Sequence, residues 1–266
     1  MYKELCLSLH GEWRFQLDPE KMGVSEKFYL RELEDNIPLP GSTDEAQKGD
    51  GYTEVEIERL TRKYPYTGYA WYQKEVFLES EWVGKHIDLF LERTRISRVW
   101  VNDIEIGSRD SLSTPHKYDL SEVLTEGKHK ITILIDNSEY PIPGGHLTSG
   151  DTQTNWNGIL GKIELRGSDL VWIDGIKTYS DVENSVVRLK FLVKNKAAVN
   201  GQASISVKVC KLDEEITNKE KQCENIIISE KEYSVNVNEF ENNFEINHFI
   251  GETGELWDEY SPSLYK

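Results

Sequence analysis

The stretch Trp82–Gly107, WVGKHIDLFLERTRISRVWVNDIEIG, decides the fold of this chain. Apolar residues recur at every second position along Ile87–Leu91, in Val99–Val101 and in Ile104–Ile106. This alternation places one face of a strand on a core and the other face towards solvent. Asn102-Asp103 separates the last two segments, and both residue types tolerate positive φ. The sequence therefore predicts a hairpin with a two-residue turn.

The same alternation recurs along the whole chain. It is found in Trp13–Leu17, Ile131–Ile135, Val187–Val193 and Ile205–Val209, and final strands are expected at Ile226–Ser229, Tyr233–Val237 and Phe244–Phe249. Helical stripes are nearly absent, so the sequence predicts an all-β protein built from sandwiches. One short helix is expected near Ser25–Glu34. Four tryptophans lie within the strand patterns and are expected in the core: Trp13, Trp71, Trp82 and Trp100.

The chain is predicted to divide into a domain of residues 1–168 and a domain of residues 169–266. The first is rich in aromatic residues and contains two long irregular stretches, Asp18–Thr61 and Ser138–Gly161. Loops of this length in a compact β domain are usually functional. The second has about seven short, evenly spaced strands, which matches the size of an immunoglobulin-like sandwich. A turn at Gly167–Asp169 is expected to join them.

The charge balance excludes two classes of partner. The 266 residues contain 31 Lys and Arg against 47 Asp and Glu, which gives a net charge of −16. This field repels phosphate backbones and anionic lipids, so neither nucleic acid nor a membrane surface is an expected partner.

The chain as given is expected to be soluble. No apolar run approaches the ~20 residues that span a bilayer, and Met1–Cys6 is too short and too acidic for a signal peptide. Localisation stays open, because a periplasmic or secreted parent could have lost its export signal.

The cysteines and histidines do not predict a metal site. The three cysteines, Cys6, Cys210 and Cys223, lack metal-ligand spacing and are expected to be buried or half-buried thiols. The six histidines are equally scattered. No metal and no cofactor are expected.

Six blocks of sequence carry a family resemblance. They are LHGEWRFQLD (Leu9–Asp18), IPLPGS (Ile37–Ser42), YTGYAWYQKEVFL (Tyr66–Leu78), Trp82–Gly107, YDLSEVLTEGKHKITILIDN (Tyr118–Asn137) and NWNGILGKIEL (Asn155–Leu165). In this order they resemble the non-catalytic front half of glycoside hydrolase family 2, the family of β-galactosidases, β-glucuronidases and β-mannosidases. The resemblance covers essentially the whole chain. It implies a jelly-roll, galactose-binding-domain-like β-sandwich followed by an immunoglobulin-like β-sandwich, which ELWDEYSPSLYK (Glu255–Lys266) closes.

The resemblance also implies a catalytic (β/α)8 barrel C-terminal to Lys266, for which ~250 further residues are needed. Glycoside hydrolysis requires two carboxylates ~5 Å or ~6.5–9.5 Å apart, and the family supplies both from the barrel. The acidic pairs of this chain lie in polar stretches typical of solvated surface. The chain alone is therefore predicted to be inactive and to hold no catalytic residue. Its parent is expected to hydrolyse the O-glycosidic bonds of β-glycosides in a β-galactosidase-like manner.

Carbohydrate sites combine an aromatic face with fixed polar groups. The irregular stretch Ser138–Gly161 offers both, and the predicted carbohydrate-binding residues are Tyr66, His146, Asp151, Asn155 and Trp156. In some family members the loops that match Tyr64–Thr67 and Asp151–Trp156 reach the mouth of the active site. Those family members have a carboxylate in this loop, and the position that matches it in this chain is either Asp151 or the uncharged Thr154. In the alternative interpretation, Trp156 packs in the core, and Asn155 and Asn157 only shape a turn.

Three functions from different classes are compatible with these patterns. The first is an accessory two-domain module of a family 2 glycosidase, which buttresses an active site located elsewhere. The second is an autonomous carbohydrate-binding module. The third is a structural or adhesion β-sandwich protein. Titration with a sugar panel separates the second from the others, and the coding sequence downstream of Lys266 separates the first from the third.

Overall fold

The protein is described by a computed structural model. It describes residues 5–51, 57–58, 60–142, 144–212, 227–251 and 254–266. The predicted all-β class is confirmed, and no α-helix occurs within these ranges. Two short 3-10 turns, Ser80–Trp82 and His146–Thr148, interrupt the loops.

The helix predicted near Ser25–Glu34 is wrong, because that segment forms a series of turns. Lys27 has a left-handed φ of 54°, which breaks any helical run. Phe28 and Leu33 are buried, with 4% and 0% of their surface exposed, and pack with Trp71 and Trp100. Tertiary burial therefore determines the path of this segment.

The first compact unit, Met1–Asp169, consists of two sheets that share one core. One sheet has the strand order β1-β11-β6-β9 with β4 beside β11, and the other has the order β3-β2-β5-β10-β7-β8. The strands are β1 (Leu5–Ser8), β2 (Gly11–Asp18), β3 (Asp35–Leu39), β4 (Gly41–Ser42), β5 (Tyr69–Leu78), β6 (His86–Thr94), β7 (Ile96–Val101), β8 (Ile104–Arg109), β9 (His116–Asp119), β10 (Gly127–Asp136) and β11 (Gly158–Ser168). This is the predicted jelly-roll-type β-sandwich.

The core of this unit is filled from both sheets. Trp13, Tyr72 and Ile133 come from one sheet, and Leu89 and Leu165 come from the other; none is more than 1% exposed. The four tryptophans predicted to be buried are all buried. Two of them, with the Phe28 segment, form a second cluster in which the Tyr29 ring stacks on Trp100 at 5.2 Å.

The predicted hairpin is confirmed. Val101 on β7 pairs with Ile104 on β8, and Asn102 takes the positive φ of 54° that such a turn requires. The Asn102 Oδ1 atom accepts a hydrogen bond of 2.9 Å from the backbone N–H of Lys130, which ties the turn to β10.

The second compact unit, Leu170–Lys266, is also a β-sandwich, with one sheet in the order β12-β13-β16 and another formed by β14 and β15. Its strands are β12 (Val171–Asp181), β13 (Val186–Asn195), β14 (Gly201–Cys210), β15 (Ile227–Val237) and β16 (Phe240–Phe249). Its core is centred on Phe191, Val193, Val237 and Ile246. The immunoglobulin-like type of this sandwich stays a prediction.

Several predicted boundaries differ from the observed ones. In its described residues the second unit has five strands of 10 or 11 residues instead of about seven short ones, and Tyr233–Val237 belongs to the single strand β15. Gly167 and Ser168 belong to β11 instead of a turn, and the irregular stretch predicted to reach Gly161 ends before Gly158. The predicted strand residue Ile226 lies outside the described residues.

The cysteine prediction is only partly confirmed. Cys210 is buried, but Cys6 is exposed, and Cys223 lies outside the described residues. The described part of the chain holds no group of three or more His, Cys, Asp and Glu side chains placed to bind a metal ion. None of its helices is long and apolar enough to cross a membrane.

Candidate functional site

Two loops meet at one end of the first unit, and we call residues 60–68, 137–142 and 144–157 together the loop end. The backbone N–H of Leu60 donates to the carbonyl of Asp151 over 3.1 Å, and Gln153 Nε2 donates to the carbonyl of Thr61 over 2.7 Å. These bonds join segments that are distant in sequence, so the two loops form one surface.

Asn157 anchors the loop end to the sheets. Its side chain is fully buried, and its Nδ2 donates to the carbonyls of Gly68 and Ile135 at 3.1 and 3.2 Å. Its Oδ1 accepts a hydrogen bond of 2.9 Å from the hydroxyl of Tyr72. A buried amide that satisfies several strand and loop groups at once fixes the position of the segments it joins.

Asn137 forms a second buried anchor. Its Oδ1 accepts a hydrogen bond of 3.0 Å from the N–H of Gly68, and its Nδ2 donates to the carbonyls of Tyr66 and Asn155 at 2.9 and 3.1 Å. The Nδ2 of Asn155 donates a hydrogen bond of 3.1 Å to the carbonyl of Asn137. Its Oδ1 accepts a hydrogen bond of 2.7 Å from the hydroxyl of Tyr140. Both polar groups of the Asn155 side chain are therefore hydrogen-bonded to other residues of the chain.

Tyr66 is half-buried, and its hydroxyl donates to the carbonyl of Tyr69 over 2.6 Å. Burial raises the pKa of Tyr66 to about 12, which keeps this hydroxyl a neutral donor. Gly68 has a φ of 149°, and a Cβ there would lie 2.9 Å from the Tyr66 hydroxyl, so this close approach requires glycine.

Trp156 lies outside the core cluster of the first unit and is half-buried under the guanidinium of Arg95, 4.3 Å from its ring centre. Arg95 Nε donates to the Trp156 carbonyl at 3.2 Å, and Arg95 Nη2 donates to the carbonyl of Thr154. The interpretation of Trp156 as a core residue is therefore wrong. Its half-buried ring is part of a cation-π stack with the buried Arg95.

His146 and Asp151 are the exposed members of the predicted set. The carbonyl of His146 accepts a hydrogen bond of 2.7 Å from the hydroxyl of Thr154. The Asp151 carboxylate lies 3.5 Å from the Ser149 hydroxyl and is otherwise open to solvent.

Sequence reasoning missed a charged cluster beside these residues: Asp44, Arg62, Arg95 and Tyr140. Arg62 Nη1 lies 3.0 Å from Asp44 Oδ2, whereas the buried Asp44 Oδ1 accepts no hydrogen bond. Burial raises the pKa of Asp44, and the charge of Arg62 offsets part of this effect. Burial lowers the pKa of Arg95 and raises that of Tyr140 to about 12. No spacing pattern links these residues in sequence, because the fold alone brings them together.

Two cavities among the described residues lie elsewhere. One of about 430 Å³ in the second unit is lined by Val182, His248 and Trp257 among others. One of about 220 Å³ in the first unit lies between Arg14 and Lys130. Neither of these two cavities is lined by residues of the loop end.

The fold and the loop end define an all-β, sandwich-type module with a polar, hydrogen-bonded loop surface. The chain belongs to the glycosyl hydrolases family 2, because the model of that family's sugar binding domain matches residues 6–177.

Curated relatives of this chain include the β-glucuronidases of Paenibacillus borealis and Homo sapiens. That of Paenibacillus borealis is 26% identical over 154 residues, which cover 56% of this chain and 24% of the relative. That of Homo sapiens is 25% identical over 250 residues, covering 79% of this chain and 35% of the relative. The chain thus spans about a quarter to a third of the length of these proteins.

Solved structures have the same fold over nearly the whole chain. The β-glucuronidase of Bacteroides uniformis superposes with a TM-score of 0.73 at 15% identity, covering 99% of this chain and 30% of that one. The Ruminococcus gnavus β-glucuronidase gives a TM-score of 0.65 at 22% identity, covering 98% and 41%.

Proposed function

We propose that this chain is the non-catalytic front portion of a family 2 glycoside hydrolase that cleaves β-glucuronides. The proposal rests on the family match over residues 6–177. It rests also on the solved β-glucuronidases, in which nearly the whole of this chain superposes on 30–41% of a longer chain. The β-galactosidase-like parent predicted from sequence is less favoured, because the named relatives are β-glucuronidases.

In this proposal residues 1–168 are the sugar-binding-type domain and residues 169–266 are an immunoglobulin-like spacer. The catalytic barrel follows Lys266 and supplies the two carboxylates that hydrolysis needs. The loop end forms one wall of the sugar site, where the exposed Asp151 and His146 contact sugar hydroxyls. Tyr66, Asn155 and Trp156 hold that wall in shape through the hydrogen bonds and the stack described above.

Two measurements test this proposal. The coding sequence downstream of Lys266 should continue into a (β/α)8 barrel. The 266-residue chain should release no p-nitrophenol from p-nitrophenyl β-glucuronide or β-galactoside, whereas the longer protein should act on the glucuronide. Turnover by the purified 266-residue chain, or a longer protein that prefers the galactoside, would contradict it.

An autonomous carbohydrate-binding module is the second candidate, and the sugar-binding description of the matching family favours it. It predicts saturable binding of a neutral oligosaccharide by the chain alone. Ligand at 100 times its Kd should then stabilise the chain by about 2.7 kcal/mol, which a melting curve detects. A structural or adhesion role predicts neither binding nor a downstream barrel.

A further inference from the structure

The second unit contains an apolar cleft of about 430 Å³ at one end of its sandwich. Its walls are side chains of both sheets together with the C-terminal tail, residues 254–266. The lining includes Val187, Leu189, Val207, Val209, Trp257 and Leu264. None of these six is buried, and Trp257 and Leu264 are 63% and 56% exposed. Apolar side chains gathered in an open cleft mark a place where another segment docks.

Strand β14 faces this cleft and lacks cover in the same way. Ala203, Ile205, Val207 and Val209 alternate with exposed residues, as expected of a strand with one face on a core. The first two pack against the core cluster around Phe191, and the other two line the cleft. All four are only half-buried, whereas Phe191 itself is buried. The core of the unit is therefore closed, and what stays open is the cleft beside β14.

One backbone edge of β14 also stays open. Strand β15 pairs with the other edge along its whole length, from Gly201 to Cys210. In the part of the chain that the structure describes, these two strands form a sheet of their own. A row of backbone N–H and C=O groups along such an edge is a template for a further strand. We call this edge, at Gly201–Val209, the β14 edge.

The C-terminal tail already pairs with the end of β14. The backbone N–H and C=O groups of Cys210 and Lys266 bond each other in both directions, over 2.8 and 2.9 Å. The N–H of Leu212 donates to the carbonyl of Leu264 over 2.8 Å, and the pairing between these two bonds is antiparallel. In this direction a residue that follows Lys266 would lie opposite Val209, and later residues would follow the rest of the β14 edge.

We propose that the β14 edge and the cleft bind the segment that follows Lys266, as an added antiparallel strand of the second domain. About nine residues cover the edge. The first, third and fifth of them face the cleft beside Val209, Val207 and Ile205 and are apolar, whereas the second and fourth face away and are polar. This inference rests on the proposed function, in which the polypeptide continues beyond Lys266. It places the end of the second domain later than the sequence predicts.

The coding sequence and amide hydrogen exchange test this strand. The first, third and fifth residues encoded after Lys266 should be apolar. A protein extended by the nine encoded residues should exchange the amides of Gly201–Val209 at least about tenfold more slowly than the 266-residue chain, as measured by mass spectrometry. Strand β2 of the first unit is the internal reference, and its exchange should be the same in both proteins.

Charged substitutions in the extended protein locate the effect. Asp at the first, third and fifth added positions should abolish the protection, because carboxylates are costly to bury in an apolar cleft. Asp at the second and fourth positions is the matched control and should leave the protection unchanged. Within β14, Val207→Asp should abolish the protection, whereas Lys208→Asp at the exposed neighbouring position should keep it. The variants of the added segment serve if Val207→Asp folds poorly.

Unchanged exchange at Gly201–Val209 on extension would overturn the inference, and so would protection that survives Asp at the first, third and fifth positions. Amides of β14 that are already protected in the 266-residue chain would show that a second copy or a segment within the chain covers the edge. Light scattering separates these two cases, and either contradicts the inference. Polar residues at the three cleft-facing positions would contradict it as well.

Failure of this inference and failure of the proposed function are distinguishable. None of the exchange measurements depends on cleavage of a glycoside, so a negative result there leaves the proposed function untouched. A coding sequence that stops at Lys266 would contradict both.

Discussion

At the residue scale, Asn157 is the side chain on which the loop end depends most. It is fully buried and bonded to Gly68, Ile135 and Tyr72, so its loss would leave buried donors and acceptors unpaired. Asn157→Ala should lower the free energy of unfolding by about 2–3 kcal/mol, measured by urea denaturation. The exposed Asn247→Ala on β16 is the matched control and should change it by less than about 0.5 kcal/mol. A neutral Asn157→Ala would contradict the anchoring role.

Asp151 and Asn155 separate a ligand-facing role from a structural one. Asp151 is exposed and makes one long contact, so Asp151→Ala should leave the melting temperature of the chain nearly unchanged. Asn155→Ala removes two hydrogen bonds, to Tyr140 and to the carbonyl of Asn137, and should cost about 1–2 kcal/mol. In a longer, active protein, Asp151→Ala should lower kcat/KM. If Asp151→Ala instead destabilises the chain as much as Asn155→Ala, its assignment to the ligand fails.

At the scale of elements, His248 links the two sheets of the second unit. Its ring lies on β16, and its Nε2 and Nδ1 lie 2.8 and 2.9 Å from the hydroxyls of Ser229 and Tyr233 on β15. Only 1% of the residue is exposed. A neutral imidazole, with one donor and one acceptor nitrogen, fits these two hydroxyls without a charge.

This link predicts a loss of stability in acid. Burial, and then the nearby charge of Lys231, hold the pKa of His248 below its ordinary value of 6.5. Unfolding restores the ordinary pKa, so the unfolded chain binds the proton more tightly. The stability that neutral His248 contributes to folding is therefore complete above pH 6.5, and it is lost progressively as the pH falls below that value.

Urea unfolding at two pH values checks this prediction, with the amide NMR signals of residues 170–266 as the signal from the second unit. Wild type should lose more stability between pH of about 7.5 and about 5.5 than His248→Gln, which cannot take up the proton. The buried His116 of the first unit has a lowered pKa as well, and His116→Gln should leave this second-unit difference unchanged. Equal losses in wild type and His248→Gln would contradict the prediction.

The elements that could be predicted from sequence are those whose pattern is local. Alternating strands such as β2 and β10, and the hairpin around Asn102, are encoded by residues next to one another. The short strand β3 and the turns around Lys27 could not be predicted, because their structure depends on pairing and burial against distant strands. The same holds for the site. Aromatic and polar loop residues were found from composition, whereas the ion pair of Arg62 with Asp44 exists only in the folded chain.

At the scale of the whole molecule, each compact unit contains a complete core. The large cluster around Trp13 and Leu89 is drawn from residues before Asp169, and the cluster around Phe191 and Ile246 is drawn from residues after it. Only Asp169 and Leu170 lie between β11 and β12. Because hydrophobic burial is the main source of stability, each unit has what it needs to fold by itself.

We therefore expect residues 1–169 and 170–266, expressed separately, each to give a dispersed amide NMR spectrum and cooperative thermal unfolding. The first piece should be the more stable. Among the described residues its main core cluster has 25 buried members, whereas the core cluster of the second piece has four. The melting curve of the intact chain should then resolve into two transitions, and the later one should coincide with that of residues 1–169. A single transition for the intact chain, with residues 1–169 unfolded in isolation, would show that the first core depends on the rest of the chain, and the division into two domains would be wrong.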